Sequence, residues 1–297
     1  MLDLERLRRI RAEQPALIGE ALRTRRRRPL LGDDGRLFIV AADHPARGAL
    51  GAGARATAMA SRVELLRRLV VALDRPGVDG VLGTPDIVED LAVLGALEGK
   101  VVLGSMNRGG LSGSAFEMDD RFTAYDVPTM VRDGVDLGKL LVRINLADPA
   151  TAPTLQNAAQ AVSAAAEARL PILLEPFLSR WQDGRIANDL STDAVIRSIA
   201  IASGLGASSA YSWLKLPVVP EMERVAAATT MPVLLLGGEP GAALDATFSS
   251  WQHALAQPGV RGLVVGRTLL YPPDDDVIAA VDTAAALVHL DVPAGRR

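Results

Sequence analysis

Ser209-Ala-Tyr-Ser-Trp-Leu-Lys-Leu-Pro-Val-Val-Pro220 is the stretch on which the reading of this chain turns. It is rich in strand-forming and apolar residues around a lone lysine, Lys215. Side chains alternate along a strand, which puts Tyr211, Trp213 and Lys215 on one face. A lysine in such surroundings meets low dielectric, which disfavours the ammonium and lowers its pKa. An amine depressed in this way can attack a carbonyl and form a Schiff base. A lysine at a strand end can also snorkel to the surface. The stretch by itself leaves both readings open.

Working outward, eight strand-like segments recur: 37–43, 78–83, 101–106, 139–145, 172–177, 210–216, 233–237 and 262–266. Most are short continuous apolar runs, the pattern of buried parallel strands. Between them lie amphipathic stretches such as 60–71, the alanine-rich 158–169, and 192–199 with Ser191 or Thr192 as its cap. Alternating strands and helices mean a parallel sheet, and eight repeats in this length predict an α/β fold, the (β/α)8 or TIM barrel. The rival is an open doubly wound sheet. Against it, the first strand is not followed by a Gly-x-Gly-x-x-Gly turn, and Gly48, Gly51 and Gly53 have the wrong spacing. We expect a single barrel domain over 1–297, with an N-terminal helical extension over 1–36, a core over 37–271 and a C-terminal helix over 272–297.

The bulk properties exclude several function classes. With 297 residues, 49% of them hydrophobic, the chain can bury a large core. A net charge of -3 provides no basic footprint for nucleic acid. Cysteine is absent, which removes disulfides and thiolate chemistry. The first ten residues lack the apolar region of a signal peptide. The uncharged run between Arg197 and Lys215 holds five serines and two glycines and makes a poor membrane span. The expectation is a cytoplasmic protein with no membrane or nucleic-acid partner and a possible homo-oligomer. The basic run Arg23–Arg28 reads either as an anionic-surface patch or as the solvated end of an N-terminal helix.

Chemistry in a barrel belongs at the C-terminal ends of its strands. Asp43 and His44 end the first strand, Asn107 and Arg108 the third, Glu175 the fifth and Lys215 the sixth; Arg143 and Asn145 lie on the fourth. Lys215 is the candidate nucleophile, Glu175 a proton shuttle or its ion-pair partner, and Asp43 an acid or base at a substrate hydroxyl or a turn residue. Gly237, Gly238, Gly266 and Arg267 follow strands seven and eight, whose loops commonly bind phosphate in barrels, and Arg143, Asn145, Lys139 and Arg47 are the further candidates to bind substrate or its phosphate. The long segment 107–128, with its Gly/Ser run and Glu117-Met-Asp-Asp-Arg121, reads as a substrate lid or as a flexible stretch before a charged helix. The three histidines, His44, His253 and His289, have no ligand spacing, so no metal or other cofactor is expected.

At this point a resemblance enters. Ala41-Ala-Asp-His-Pro-Ala-Arg-Gly48, Leu173-Leu-Glu-Pro176, Trp213-Leu-Lys-Leu-Pro-Val-Val219 and Gly262-Leu-Val-Val-Gly-Arg267 resemble the class I aldolases of the tagatose-bisphosphate and deoxyribose-phosphate aldolase superfamily. The resemblance follows the barrel from about Leu37 to Tyr271. It implies a Schiff base on Lys215, assistance from Glu175, a role for Asp43, and phosphate on Gly266 and Arg267. Lys139 matches a lysine at the start of strand four, whereas Arg143 has no counterpart. The first turn, Asp-His-Pro-Ala-Arg-Gly, carries two extra residues, which puts Asp43 and Arg47 out of step with the family pattern. The Trp213–Pro217 segment also resembles an aldolase-like domain linked to myo-inositol breakdown.

The expected function is therefore a metal-independent lyase that cleaves a phosphorylated keto-sugar or keto-acid. The specific substrate implied is 6-phospho-5-dehydro-2-deoxygluconate, cleaved to dihydroxyacetone phosphate and malonate semialdehyde. Alternatives are a deoxyribose-phosphate or ketose-bisphosphate aldolase, an isomerase or epimerase using Lys215 without a covalent bond, and a non-catalytic sugar-phosphate-binding barrel.

Overall fold

Nine strands and eleven helices alternate along the computed structural model, which describes residues 3–238 and 244–289. The strands are β1 (Leu37–Ala41), β2 (Gly80–Gly83), β3 (Val101–Ser105), β4 (Leu137–Ile144), β5 (Ile172–Gln182), β6 (Arg185–Asn188), β7 (Ser212–Pro217), β8 (Val233–Leu236) and β9 (Val260–Val265). Eight of them pair in parallel, and the β1–β9 and β4–β5 pairings close the sheet on itself. This is the expected (β/α)8 barrel. Lys215 lies on its sixth strand, β7, while Tyr211 falls in the turn before that strand.

The alternation read from the sequence becomes the barrel's internal layering. Leu37, Ile39 and Ala41 of β1 fill the interior with Leu103, Leu137, Leu173, Trp213, Leu234 and Val264. The next inward positions, two residues on, are Asp43, Ser105, Lys139, Glu175 and Lys215. Apolar layers thus give way to charge as the strands reach their C-terminal ends. The opposite faces, including Phe38, Val40, Leu140, Leu174, Leu214 and Leu216, pack under the surrounding helices.

Local chemistry explains the helix boundaries. Helix α3 (Arg62–Leu73) is capped by Ser61, whose side chain accepts from Glu64 N. Helix α6 (Thr151–Glu167) is the alanine-rich one, and α7 (Thr192–Ser203) starts on Ser191, whose hydroxyl accepts from Ala194 N. Helix α5 (Val127–Asp133) starts on Asp126 and ends on Gly134, which takes the left-handed conformation at φ 69°.

Two helices precede the barrel where one was expected: α1 (Leu4–Glu13) and α2 (Ala16–Thr24). Ile18 and Leu22 of α2 are buried, and the helix packs against α4 (Pro85–Val93) and α5 on the outside of the barrel. Leu30 and Leu31 then cross the base and pack against the interior cluster. The Arg23–Arg28 run lies between these two attachments, and four of its five arginines form ion pairs. Arg25 and Arg27 both reach Asp136, at 2.8 and 2.6 Å, Arg28 pairs with Asp79, and Arg23 reaches Asp133 at 3.4 Å. The run is an internal clamp, neither an anionic-surface patch nor a merely solvated helix end.

One element was not foreseen. β5 overshoots the barrel rim and turns back through Asp183 and Gly184 into the antiparallel β6. Both turn residues have positive φ, 51° and 72°, as a two-residue hairpin of matching twist requires.

Candidate active site

At the mouth of the barrel, two carboxylates are shared among three cations. Glu175 Oε1 pairs with Lys215 Nζ at 2.8 Å, and its Oε2 with Lys139 Nζ. Asp43 is wholly buried, and its Oδ2 takes Lys139 Nζ at 3.4 Å, Ser105 Oγ at 3.3 Å and the Arg108 guanidinium. Arg108 Nε also donates to Ser105 Oγ at 3.1 Å. These residues come from β1, β3, β4, β5 and β7 and the turns that follow them. The barrel's closure alone brings them together.

The electrostatics follow from burial with too few counter-charges. Burial pushes Lys215 below its ordinary value; Glu175 opposes the shift, and Arg108 and Arg267 add to it. Burial and then Arg108 push Lys139 well below its usual range, again against Glu175. Burial brings Arg108 down to about 10. For Glu175, burial would raise the pKa, but the Lys139 and Lys215 ammonium groups outweigh it and hold the carboxyl well below the usual range. A permanent carboxylate thus sits between two amines, each of which gives up its proton more readily than a free lysine. That is the arrangement an amine nucleophile needs near neutral pH.

Above this cluster lies a cavity of ≈ 580 Å³. Lys215, Glu175, Asp43, His44, Arg47, Arg108 and Arg143 line it on one side, and Gly237, Gly238, Gly266 and Arg267 on the other. Lys139 lies beneath the floor. Glycine is required at 237 and 266 by packing: a Cβ on Gly266 would collide with the Ala41 carbonyl and one on Gly237 with Val265. The same absence of side chains leaves their backbones open to the cavity. Residues 239–241 of the strand-seven loop lie outside the described residues.

Arg143 is almost wholly buried, and its donors are occupied. Its Nε and one terminal nitrogen grip Asp120, both at 2.7 Å; the other reaches Glu117 Oε1 at 3.3 Å, and the Glu117 carbonyl accepts as well. Glu117 also pairs with Arg47 at 3.3 Å and accepts from Gly113 N at 2.8 Å. This fork holds the 107–126 segment over the cavity as a series of turns; the charged helix that was the second reading of this stretch is not formed. Asn145 is separate from the site. Its side chain accepts from Ala147 N at 3.1 Å, and its backbone N–H donates to Thr151 Oγ1, so it shapes the turn after β4.

Several participants carried no role in the sequence reading. Arg108 was placed at a strand end but given no task, and Glu117 and Asp120 were named only as part of a lid or a charged helix. His44 was placed at a strand end without a task, yet it stands in the cavity wall. The Asp183-Gly184 pair is a recognisable hairpin signal, and the hairpin brings Ile186 and Asn188 to the rim. Among the described residues there is no gathering of His, Asp and Glu suited to a metal ion, and no helix long and apolar enough to cross a membrane.

The barrel has parallels among solved structures. An archaeal fructose-1,6-bisphosphate aldolase with its catalytic lysine bound to the carbinolamine intermediate superposes with a TM-score of 0.65, at 18% identity, over 91% of this chain and 99% of that one. A Schiff-base-forming fructose-1,6-bisphosphate aldolase superposes at 0.64, with 19% identity over 92% and 100% of the two chains. Likeness at this level shows the class of fold. The chain itself belongs to the Cgl0159-like family, whose model matches residues 35–285. It is 66% identical to Cgl0159 of Corynebacterium glutamicum, whose crystal structure superposes with a TM-score of 0.96 over 97% of both chains. No curated protein sequence matches it significantly.

Proposed function

We propose that this protein is a class I aldolase that cleaves a phosphorylated keto-sugar or keto-acid through a Schiff base on Lys215. The observation that carries the reading is the Lys215–Glu175–Lys139 cluster: a buried amine with a depressed pKa, held at 2.8 Å by a permanent carboxylate, on the floor of an open cavity. The fold shared with Schiff-base aldolases supports it.

Neutral Lys215 Nζ adds to the substrate ketone to form a carbinolamine. Glu175, in contact with both lysines, passes the protons that convert this to an iminium with loss of water. The iminium nitrogen then receives the electron pair of the breaking carbon–carbon bond. The proton of the hydroxyl beyond that bond leaves toward the Asp43 corner of the site, and an aldehyde departs. Protonation and hydrolysis of the enamine release the ketone phosphate. Gly237, Gly238, Gly266 and Arg267 hold the phosphate, which fixes the ketone against the lysine. The particular substrate 6-phospho-5-dehydro-2-deoxygluconate rests on the sequence resemblance of Trp213–Pro217.

The test is borohydride reduction in the presence of dihydroxyacetone phosphate, followed by peptide mass spectrometry. The expected result is a reduced adduct on Lys215, formed equally in EDTA. No adduct, or an adduct confined to another lysine, overturns the assignment.

A further inference from the structure

Two buried polar atoms beside the Lys215 cluster have no hydrogen-bond partner: Asp43 Oδ1 and His44 Nδ1. They face each other at 3.7 Å. Buried polar groups are nearly always satisfied, so an unsatisfied pair at a strand end points to function. Asp43 Oδ2 is already engaged by Arg108, Lys139 and Ser105, which fixes the carboxylate and leaves Oδ1 as its free acceptor. A closure of about 1 Å brings the pair to ordinary N–H···O distance, and catalytic hydrogen bonds are often long before substrate binds. About a quarter of the His44 side chain is exposed. Because Nδ1 is buried, that exposed edge is the opposite side of the ring, which carries Nε2 and meets the cavity.

We propose that His44 is the acid–base residue at the scissile hydroxyl, and that Asp43 is a positioning residue that holds its Nδ1–H. This rests on the Schiff-base reading of Lys215 and reassigns the proton step within it. In cleavage, Nε2 takes the hydroxyl proton. The O–H electron pair becomes the second bond of the aldehyde carbonyl, the carbon–carbon bond breaks, and its pair forms the enamine and neutralises the iminium. In the addition direction the imidazolium returns the proton to the nascent alkoxide. Every proton and electron pair stays within enzyme and substrate.

The surroundings suit a base. Burial, then Arg267 and Lys215, hold His44 well below its ordinary pKa; Lys139 acts in the same direction, while Glu175 opposes. The ring therefore enters the reaction neutral. With Asp43 taking Nδ1–H, the lone pair lies on Nε2, as a hydroxyl base requires.

The test separates the two halves of the aldol reaction with dihydroxyacetone phosphate and malonate semialdehyde as probes. In the His44→Asn variant, borohydride trapping on Lys215 and deuterium exchange at the hydroxyl-bearing carbon of dihydroxyacetone phosphate should stay at the wild-type level. Addition to the aldehyde should fall about 10²- to 10⁴-fold, the usual contribution of a positioned acid–base group. Trapping, exchange and addition falling together, or addition unaffected, overturns the proposal. No adduct on wild-type Lys215 instead overturns the Schiff-base reading and the proton step with it. Nitrogen-15 NMR of the His44 ring tests the pairing whatever the substrate. The expected state near neutral pH is the Nδ1–H tautomer, lost in Asp43→Asn. An Nε2–H tautomer, or no response to Asp43→Asn, overturns the positioning role.

Discussion

The two ends of the barrel use the same residue types to opposite effect, and two histidines show it. His289 closes the base, where Asp34 and Asp79 face its ring and Gly77 O accepts from it at 3.0 Å. Contacts with Asp79 outweigh burial there, and Asp34 adds to them, so the pKa of His289 rises to about 9. It also stands at the C-terminus of α11 (Val277–His289), where a cation is favoured. His44 at the mouth is pushed the other way, by burial first and then by Arg267, Lys215 and Lys139. The base surrounds its cations with carboxylates and thereby ties the Arg23–Arg28 segment and the last helix to the barrel. The mouth crowds cations around two carboxylates, and burial there lowers the pKa of its two amines and its imidazole. The same residue types thus have their pKa moved in opposite directions at the two ends, because burial is offset by carboxylates at the base and reinforced by cations at the mouth.

The comparison breaks first at Lys215. Lys215→Ala should lower aldol cleavage by about 10³-fold or more, as loss of a covalent nucleophile does. Glu175 keeps Lys139 on its other oxygen, so the variant should still fold. A large loss of thermal stability in Lys215→Ala, with activity retained, would place the residue with the structural charges of the base.

Arg143 lies at the mouth but is paired like a base residue, with Asp120 and Glu117. Breaking a buried pair from one side costs about 3–5 kcal/mol. Asp120→Asn should therefore lower the unfolding free energy by an amount of that order and open 107–126 to limited proteolysis, both measurable on the purified variant. Unchanged proteolysis would show that the segment is held by something other than the Arg143 fork.

His289 provides the pH dependence of the base. Its folded pKa is raised, so its stabilising contribution is complete below its unfolded value of about 6.5 and disappears as pH rises through about 9. Wild type should be more stable than His289→Gln by about 1–2 kcal/mol at pH 6, discounted for partial exposure, and the two should converge above pH 9. Denaturant unfolding across that range decides it, and a gap that widens with pH contradicts the assignment.

The smallest effect belongs to Arg27. Its side chain is 54% exposed, unlike that of Arg25, which shares Asp136 and is 2% exposed. Arg27→Ala should cost about 0.2–1 kcal/mol, the range of exposed pairs. Arg25→Ala should cost several times more, and equal effects would mean that the clamp does not depend on burial.

Period-two alternation carried the sequence reading well where burial is complete. It put Trp213 and Lys215 on one face of their strand, and the structure turns that face into the barrel, with Lys215 one layer above Trp213. It was weaker wherever a residue's role depends on partners distant along the chain. Arg143 meets Asp120 and Glu117 across 23 and 26 residues, and the basic run meets Asp136 across more than a hundred. Neither the loss of the free guanidinium at 143 nor the clamp at the base leaves a local pattern. Asn145 shows the same limit at short range, since one step past the end of β4 its side chain belongs to a turn rather than to the cavity.

The chain's own order of residues determined the repeating strand and helix segments, the face on which each strand residue lies, and which charged groups end the strands. These are properties of local backbone geometry, and a single sequence carries them. Closure of the sheet between β4 and β5 and between β1 and β9 decided the rest. It set how many cations share each carboxylate at the mouth, which arginines at the base are satisfied, and that His44 and Asp43 keep two buried atoms unpaired. Those are consequences of distance and desolvation, which exist only once the strands have met.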